Sequence, residues 1–314
     1  MSTGLNDRPV PRAPHSPGEP GPAARRELSP RGLARVFLTP SVATMALVAL
    51  FPVLFAIVLS LFTFTRRTNE GFGGLANYAE AVTSVRFWES IQATMVFTVT
   101  SVGAEFVIGM AFALIMHEAV RGRGVTRATI LIPWVIPTVI AGQMWFFMFN
   151  VTPGFVNSLL GIGDFNWLGQ YGWAMFAIVL ADVWKTAPFV ALLLLAGLQI
   201  IDPGLYDAAK VDGASAWRRF WHITLPLLKP AILVALLFRT VDAMRVFDLP
   251  EVMTQGAFGT ETVSVLVHRF VVQTPDPGYG SALSTLTFLL VFGLGLLFVR
   301  LIGRDLVLSA QEAR

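Results

Sequence analysis

The sequence predicts an all-α, polytopic membrane protein of six transmembrane helices, with one long cytoplasmic loop between the fourth and fifth. Two observations carry this. Six apolar runs follow one another, about Val36–Phe64, Ser90–Met116, Ala128–Phe149, Trp173–Leu198, Ala231–Leu249 and Ser281–Ile302, each near the ~20 residues that cross a bilayer core. Composition agrees: of 314 residues 54% are hydrophobic and only 14% charged, and the mean hydropathy is +0.65, far outside soluble-domain usage.

Residues 1–35 come first, rich in proline, with Arg8, Arg12, Arg25, Arg26, Arg31 and Arg35 and little apolar content. This composition predicts a disordered basic tail. A cleavable signal peptide is not expected, because the first apolar run comes late, is long and lacks a small-residue cleavage pattern. A basic segment before the first span sets the N-terminus inside, and an even span count returns the 303–314 tail to the same side. Loop charges follow: Arg121, Arg123 and Arg127 lie between spans two and three, Arg218, Arg219 and Lys229 between four and five, and the 150–172 loop has neither Lys nor Arg. The first external loop departs from the rule, with Arg66, Arg67 and Arg86 balanced by Glu70, Glu80 and Glu89.

Several function classes drop out. The net charge of +3 does not indicate nucleic acid, because the basic residues flank apolar runs as membrane orientation requires. Without cysteine there is no disulfide or thiolate chemistry, and His15, His117, His222 and His268 form no metal-spaced pair. No nucleophile-elbow or zinc-protease motif is present, so no catalytic residue is expected. There is also no G-x-x-x-x-G-K-[ST] loop, so the chain itself does not hydrolyse nucleotide.

Within the spans, Pro40, Pro52, Pro133, Pro137 and Pro188 predict kinks. Gly103, Gly109, Gly293 and Gly295 suit close helix packing. Charges at membrane depth are costly and are usually paired or line a wet path. In span four Asp182 and Lys185 stand at i and i+3, either a neutralised pair or groups facing a substrate. Glu105 in span two calls for a partner on another helix. Span five carries Arg239, Asp242, Arg245 and Asp248 at a constant spacing of three, which drifts about 60° per step and fans the four over half a helix. Neighbours in this ladder can pair, and the rest offer fixed donors and acceptors to a polyhydroxyl ligand. The aromatic rings of Trp184 and Phe247 suit either packing within the membrane or stacking on an apolar face of such a ligand.

The long loop, 199–229, is amphipathic. Asp202-Pro203-Gly204 is a helix start, predicting a short helix over 205–211, a break at Gly213, and a second helix over 214–221 that ends before Leu225-Pro226. Asp207-Ala208-Ala209, three residues, Gly213, nine residues, Ile223, one residue and Leu225-Pro226 together resemble the EAA loop of ABC importer permeases, with Asp207 where Glu is usual. Over the six spans the chain is similar to the first permease subunit of the maltose-type sugar importers, through VWKTAPF in span four and LLFRTVDAMRVFDLPEVMT around span five. AAKVDGASAWRRF and EFVIGMAFALIMH resemble the trehalose importers of that class.

The resemblance implies that Asp207, Ala208, Ala209, Gly213, Ile223, Leu225 and Pro226 form a coupling helix seated in an ATPase subunit. It implies a second permease subunit, an ATPase dimer that binds ATP and Mg, and an external sugar-binding lipoprotein, in a bacterial plasma membrane. Trp184, Lys185, Arg239, Asp242, Arg245 and Asp248 are the expected sugar path. The rival class is an ion-driven secondary transporter or channel, with Glu105, Asp182 and Lys185 as an ion relay; the EAA spacing argues against it.

Overall fold

A computed structural model of the chain describes residues 30–65, 68–118, 122–152, 154–274 and 276–312. The tail expected over 1–35 lies outside the described residues as far as residue 29, as do Arg66, Arg67 and Arg121. The chain divides into two units, Met1–Pro52 and Val53–Arg314. In the first, α1 (Pro30–Met45) and a π turn (Ala46–Leu50) leave every residue from Val36 onward exposed. An apolar surface of this kind suits lipid, and an α-helix satisfies its backbone without water.

Helix α2 (Phe51–Leu59), which from Val53 onward belongs to the second unit, ends the first apolar run five residues earlier than expected. The chain turns into a hairpin, β1 (Phe62–Thr65) and β2 (Thr68–Phe72), with Phe62 opposite Phe72 and a bulge after Thr63. Alternating Phe and Thr favour a strand over a helix. The amide of Asn77 donates to the carbonyls of Ser60 (2.8 Å) and Phe62 (2.9 Å), which fixes the turn.

There follow α3 (Ala76–Thr83), α4 (Val85–Glu118), α5 (Arg123–Val135), α6 (Thr138–Phe149), α7 (Phe155–Leu160) and α8 (Trp173–Leu198). Helices α4 and α8 run parallel, because Glu89 and Gly172 line one cavity and His117 and Leu198 another. They approach closely at Gly109, where a Cβ would lie 2.8 Å from Val190 Cγ1. Gly103, Gly293 and Gly295 do not share that role, since nothing lies within 4 Å of a Cβ at any of them. Phe97, Ile178, Leu249 and Met253 fill one core and Met116, Leu194, Leu198 and Leu228 another.

The expected third span is broken. Helices α5 and α6 meet at 88°, because Pro137 denies an amide to the ladder and pushes Ile136 out of the helical region, to φ −68° and ψ 131°. Among the described residues, five helices, or six if the bent pair counts as one span, are long and apolar enough to cross a membrane.

Beyond α8 lie α9 (Pro203–Val211), α10 (Ala216–Arg219), a π turn (Phe220–Thr224), α11 (Leu225–Ala243), α12 (Asp248–Thr254), α13 (Val263–His268), a further π turn (Arg269–Gln273) and α14 (Pro277–Glu312). The helix does not stop before Leu225-Pro226 as expected. The π turn supplies the slack: its wider bonding pattern admits a proline in the first turn of α11, where an amide donor is dispensable. Helix α11 then ends at Ala243, short of the expected Leu249. Pro250 cannot donate to the carbonyl of Val246, so a continuous helix would be broken there; the chain turns and restarts as α12, with Pro250 in its first turn. Arg245 and Asp248 are therefore not on the helix that carries Arg239 and Asp242.

Candidate functional site

Two places gather the functional residues. The first is the 202–226 element. Asp202 caps α9 by accepting from the Gly204 amide at 2.8 Å, with Pro203 as its first helical residue. Gly213 has φ +73°, the left-handed conformation that a side chain disfavours. Its carbonyl-side neighbours are held as well, since the Ala214 amide donates to the Ala209 carbonyl at 2.9 Å. Ser215 then caps α10 by accepting from the Arg218 amide.

Asp207, Ala208 and Gly213 are exposed and Ala209 is half-buried, so α9 and its bend present small side chains outward. Asp207 accepts from Lys210 Nζ at 2.9 Å on its own helix, an exposed i,i+3 pair of little energetic weight. Ile223 and Leu225 are half-buried and Pro226 is exposed. Tyr206 Oη and Thr224 Oγ1, 3.0 Å apart, tie α9 to the π turn that leads into α11. Beneath the element is a cavity of about 580 Å³, reached by Leu114, His117, Tyr206, Trp217 and Phe220. Leu198, at the end of α8, lines the same cavity.

The second place is a charge cluster where α4, α8 and α11 meet. Arg239, with a side chain 2% exposed, is held by Glu105 through Nε and Nη2 (Nη2 at 2.6 Å), by Asp182 through Nη2 at 2.8 Å, and by Asp242 through Nη1. The Thr186 hydroxyl also reaches Glu105, and Ser101 Oγ lies 2.6 Å from Asp182 Oδ2 and 3.0 Å from Glu105 Oε1. Glu105 thus has its partner on another helix, and Arg239 pairs with Asp242 along the ladder. The expected Asp182–Lys185 pair is absent: Asp182 turns to Arg239, because α11 brings a guanidinium with several donors to it.

Arg239 faces carboxylates instead of open space. The other expected path residues separate. Asp242 and Arg245 are exposed, Asp248 is half-buried at the start of α12, and Trp184 is half-buried with its ring edge-on to Trp145 at 5.8 Å. Lys185 is 8% exposed and makes no ion pair among the described residues. Phe247 lies against His268, ring centres 4.9 Å apart. The hydroxyls of Ser101 and Thr186 were not anticipated; Ser101 at i−4 from Glu105 and Thr186 at i+4 from Asp182 were the signals available. Among the described residues no group of His, Asp and Glu is placed to hold a metal ion.

Fold and site together define a polytopic helical transport subunit: membrane-spanning helices, a charged brace among three of them, and an exposed helix–bend–helix lever at one end. Residues 105–307 match the family described as the binding-protein-dependent transport system inner membrane component, and the chain belongs to that family. It is 48% identical over 240 residues, 75% of this chain and 81% of the relative, to the trehalose/maltose transport system permease protein MalF of Thermococcus litoralis. It is 40% identical to the trehalose transport system permease protein SugA of Mycobacterium tuberculosis, over 88% of this chain and 90% of that one. In fold it is similar to the crystal structure of a bacterial ABC transporter involved in the import of alginate, with a TM-score of 0.76 and 22% identity, covering 87% of this chain and 95% of that chain. Membership in this family sets aside the ion-driven reading.

Proposed function

We propose that this chain is one of two permease subunits of an importer that carries a disaccharide, trehalose, across the bacterial plasma membrane by alternating access. The observation that carries the reading is the exposed 202–226 lever, with its small residues outward and a left-handed Gly213 at the bend. Two relatives named for trehalose transport support the sugar. ATP and Mg are handled by an ATPase dimer docked on Asp207, Ala208, Ala209 and Gly213, with Ile223, Leu225 and Pro226 carrying its movement into α11. A sugar-binding lipoprotein delivers the sugar to the far end of the bundle. Trp184, Lys185, Asp242, Arg245 and Asp248 form this chain's share of the path, in which hydroxyls meet carboxylate, ammonium and guanidinium groups. The two states differ in the tilt of α8 and α11, selected by ATP binding.

The sugar is tested by uptake of radiolabelled trehalose into cells lacking the chromosomal copy of this chain and complemented with it. Uptake is expected to return with the chain and to be competed by unlabelled trehalose. Restored uptake of another sugar alone, with trehalose neither carried nor competing, overturns the assignment.

Orientation is tested independently. Both termini and the 199–229 loop are placed in the cytoplasm and the 150–172 loop outside. Ser215 and Ser158 are exposed in a chain without cysteine. In intact cells an impermeant thiol reagent is expected to label Ser158→Cys and to spare Ser215→Cys until the cells are opened. The reverse pattern inverts the topology.

A further inference from the structure

The cluster of Glu105, Asp182 and Arg239 contains two carboxylates that the transport reading leaves without a task. We propose that Glu105 and Asp182 are positioning residues for transport, holding the Arg239 guanidinium so that its remaining arm presents the Asp242 carboxylate to the sugar. The proposal rests on the importer reading above and adds residues that touch no sugar.

Burial runs in order along the chain of contacts. The side chain of Glu105 is 0% exposed, that of Arg239 2%, that of Asp182 9% and that of Asp242 74%. Only the last member meets open space. A guanidinium is planar, with its donors at fixed angles, so fixing Nε and Nη2 fixes the direction in which Nη1 points. Glu105 takes Nε and Nη2 from α4, Asp182 takes Nη2 from α8, and Nη1 is left for Asp242. Glu105 is itself steadied by the Thr186 hydroxyl, and Ser101 lies against both acids.

Asp242 needs such support because of its place. Helix α11 ends one residue later, at Ala243, and the last turn of a helix is where its geometry is least constrained. Three acids also share one cation, so the charge of the exposed one is only partly balanced. It keeps lone pairs for a ligand hydroxyl, and a positively charged ligand is not required.

The test is a double-mutant cycle on Glu105 and Asp242 in the assembled importer, with uptake of labelled trehalose at saturating sugar expressed per assembled complex, and detergent stability measured alongside. Glu105→Gln keeps the shape and removes the charge that grips the guanidinium. Uptake per complex is expected to fall about tenfold, the scale of one displaced charge-assisted hydrogen bond. Asp242→Asn is expected to fall similarly, and the double variant no further than either single one. Thr186→Val, which loosens Glu105 with little change of shape, is expected to give a smaller fall of the same kind, and serves where Glu105→Gln does not assemble.

A purely structural role would lower the amount or stability of complex and leave uptake per complex unchanged; that outcome overturns the proposal, as do effects of Glu105→Gln and Asp242→Asn that multiply. If Asp242→Asn alone is without effect, the path reading of Asp242 fails, whatever Glu105 does. Loss of trehalose uptake in the unaltered importer would instead strike the sugar assignment itself.

Discussion

Gly213→Asp is expected to abolish sugar uptake while leaving the chain inserted in the membrane, and Ala209→Asp to do the same. The physical reasons differ. At Gly213 the backbone is at φ +73° with nothing within 4 Å of a Cβ, so the penalty in the isolated chain is conformational and not steric, about 1–2 kcal/mol for a residue forced into the left-handed region. A bend that relaxes away from this conformation swings α10 relative to α9 and misplaces the surface offered to the ATPase. Gly213→Asn separates the two contributions, because Asn tolerates the left-handed region better than most residues. It is expected to keep more ATPase association than Gly213→Asp. At Ala209 the side chain is half-buried at the bend, and a carboxylate there adds bulk and charge to a surface expected to dock closely. The measurement is uptake together with retention of the ATPase on the purified complex. Full uptake with normal retention in both Asp variants removes the coupling role.

Arg239→Met is expected to be the most destabilising single change, by about 3–5 kcal/mol, the range for breaking a buried ion pair by removing one partner. It leaves Glu105 and Asp182, both within the bundle, without their cation; Ser101 and Thr186 can still donate, but hydroxyls do not balance a charge. The folded fraction after detergent extraction and the thermal midpoint are the observables. The triple variant Arg239→Met with Glu105→Gln and Asp182→Asn removes the unbalanced charges along with the cation, and is expected to recover part of the loss. A single Arg239→Met variant as stable as the natural chain would show that the cluster does not brace the three helices.

The legibility of these features in the sequence follows the range of the interactions behind them. Apolar runs long enough for a bilayer are a property of consecutive residues, and three of the helices, α4, α8 and α14, lie where hydropathy puts them. The lever is local as well: Asp202 caps, Pro203 starts, Gly213 bends and Ser215 caps again, each through contacts a few residues apart. Helix ends are less legible, since a single proline decides them through what its neighbours can tolerate. Pro137 breaks a span and Pro226 does not, because the π turn before Pro226 supplies a different bonding pattern. The even spacing of Arg239, Asp242, Arg245 and Asp248 suggested one ladder on one helix, but α11 stops at Ala243 and divides it.

Composition and local motifs establish the membrane-embedded all-α class, the amphipathic lever with its bend, and the need of Glu105 for a partner. Which partner it takes is settled by the packing of the helices. Burying a carboxylate in a low-dielectric interior requires a counter-charge, but not a particular one. Lys185, one turn from Asp182, and Arg239, 134 residues from Glu105, were equally available until α4, α8 and α11 packed together. The packing gave Arg239 to both acids and left Lys185 without an ion pair among the described residues, because a planar guanidinium serves several acceptors at once and a single ammonium on the same helix as Asp182 does not reach across to Glu105.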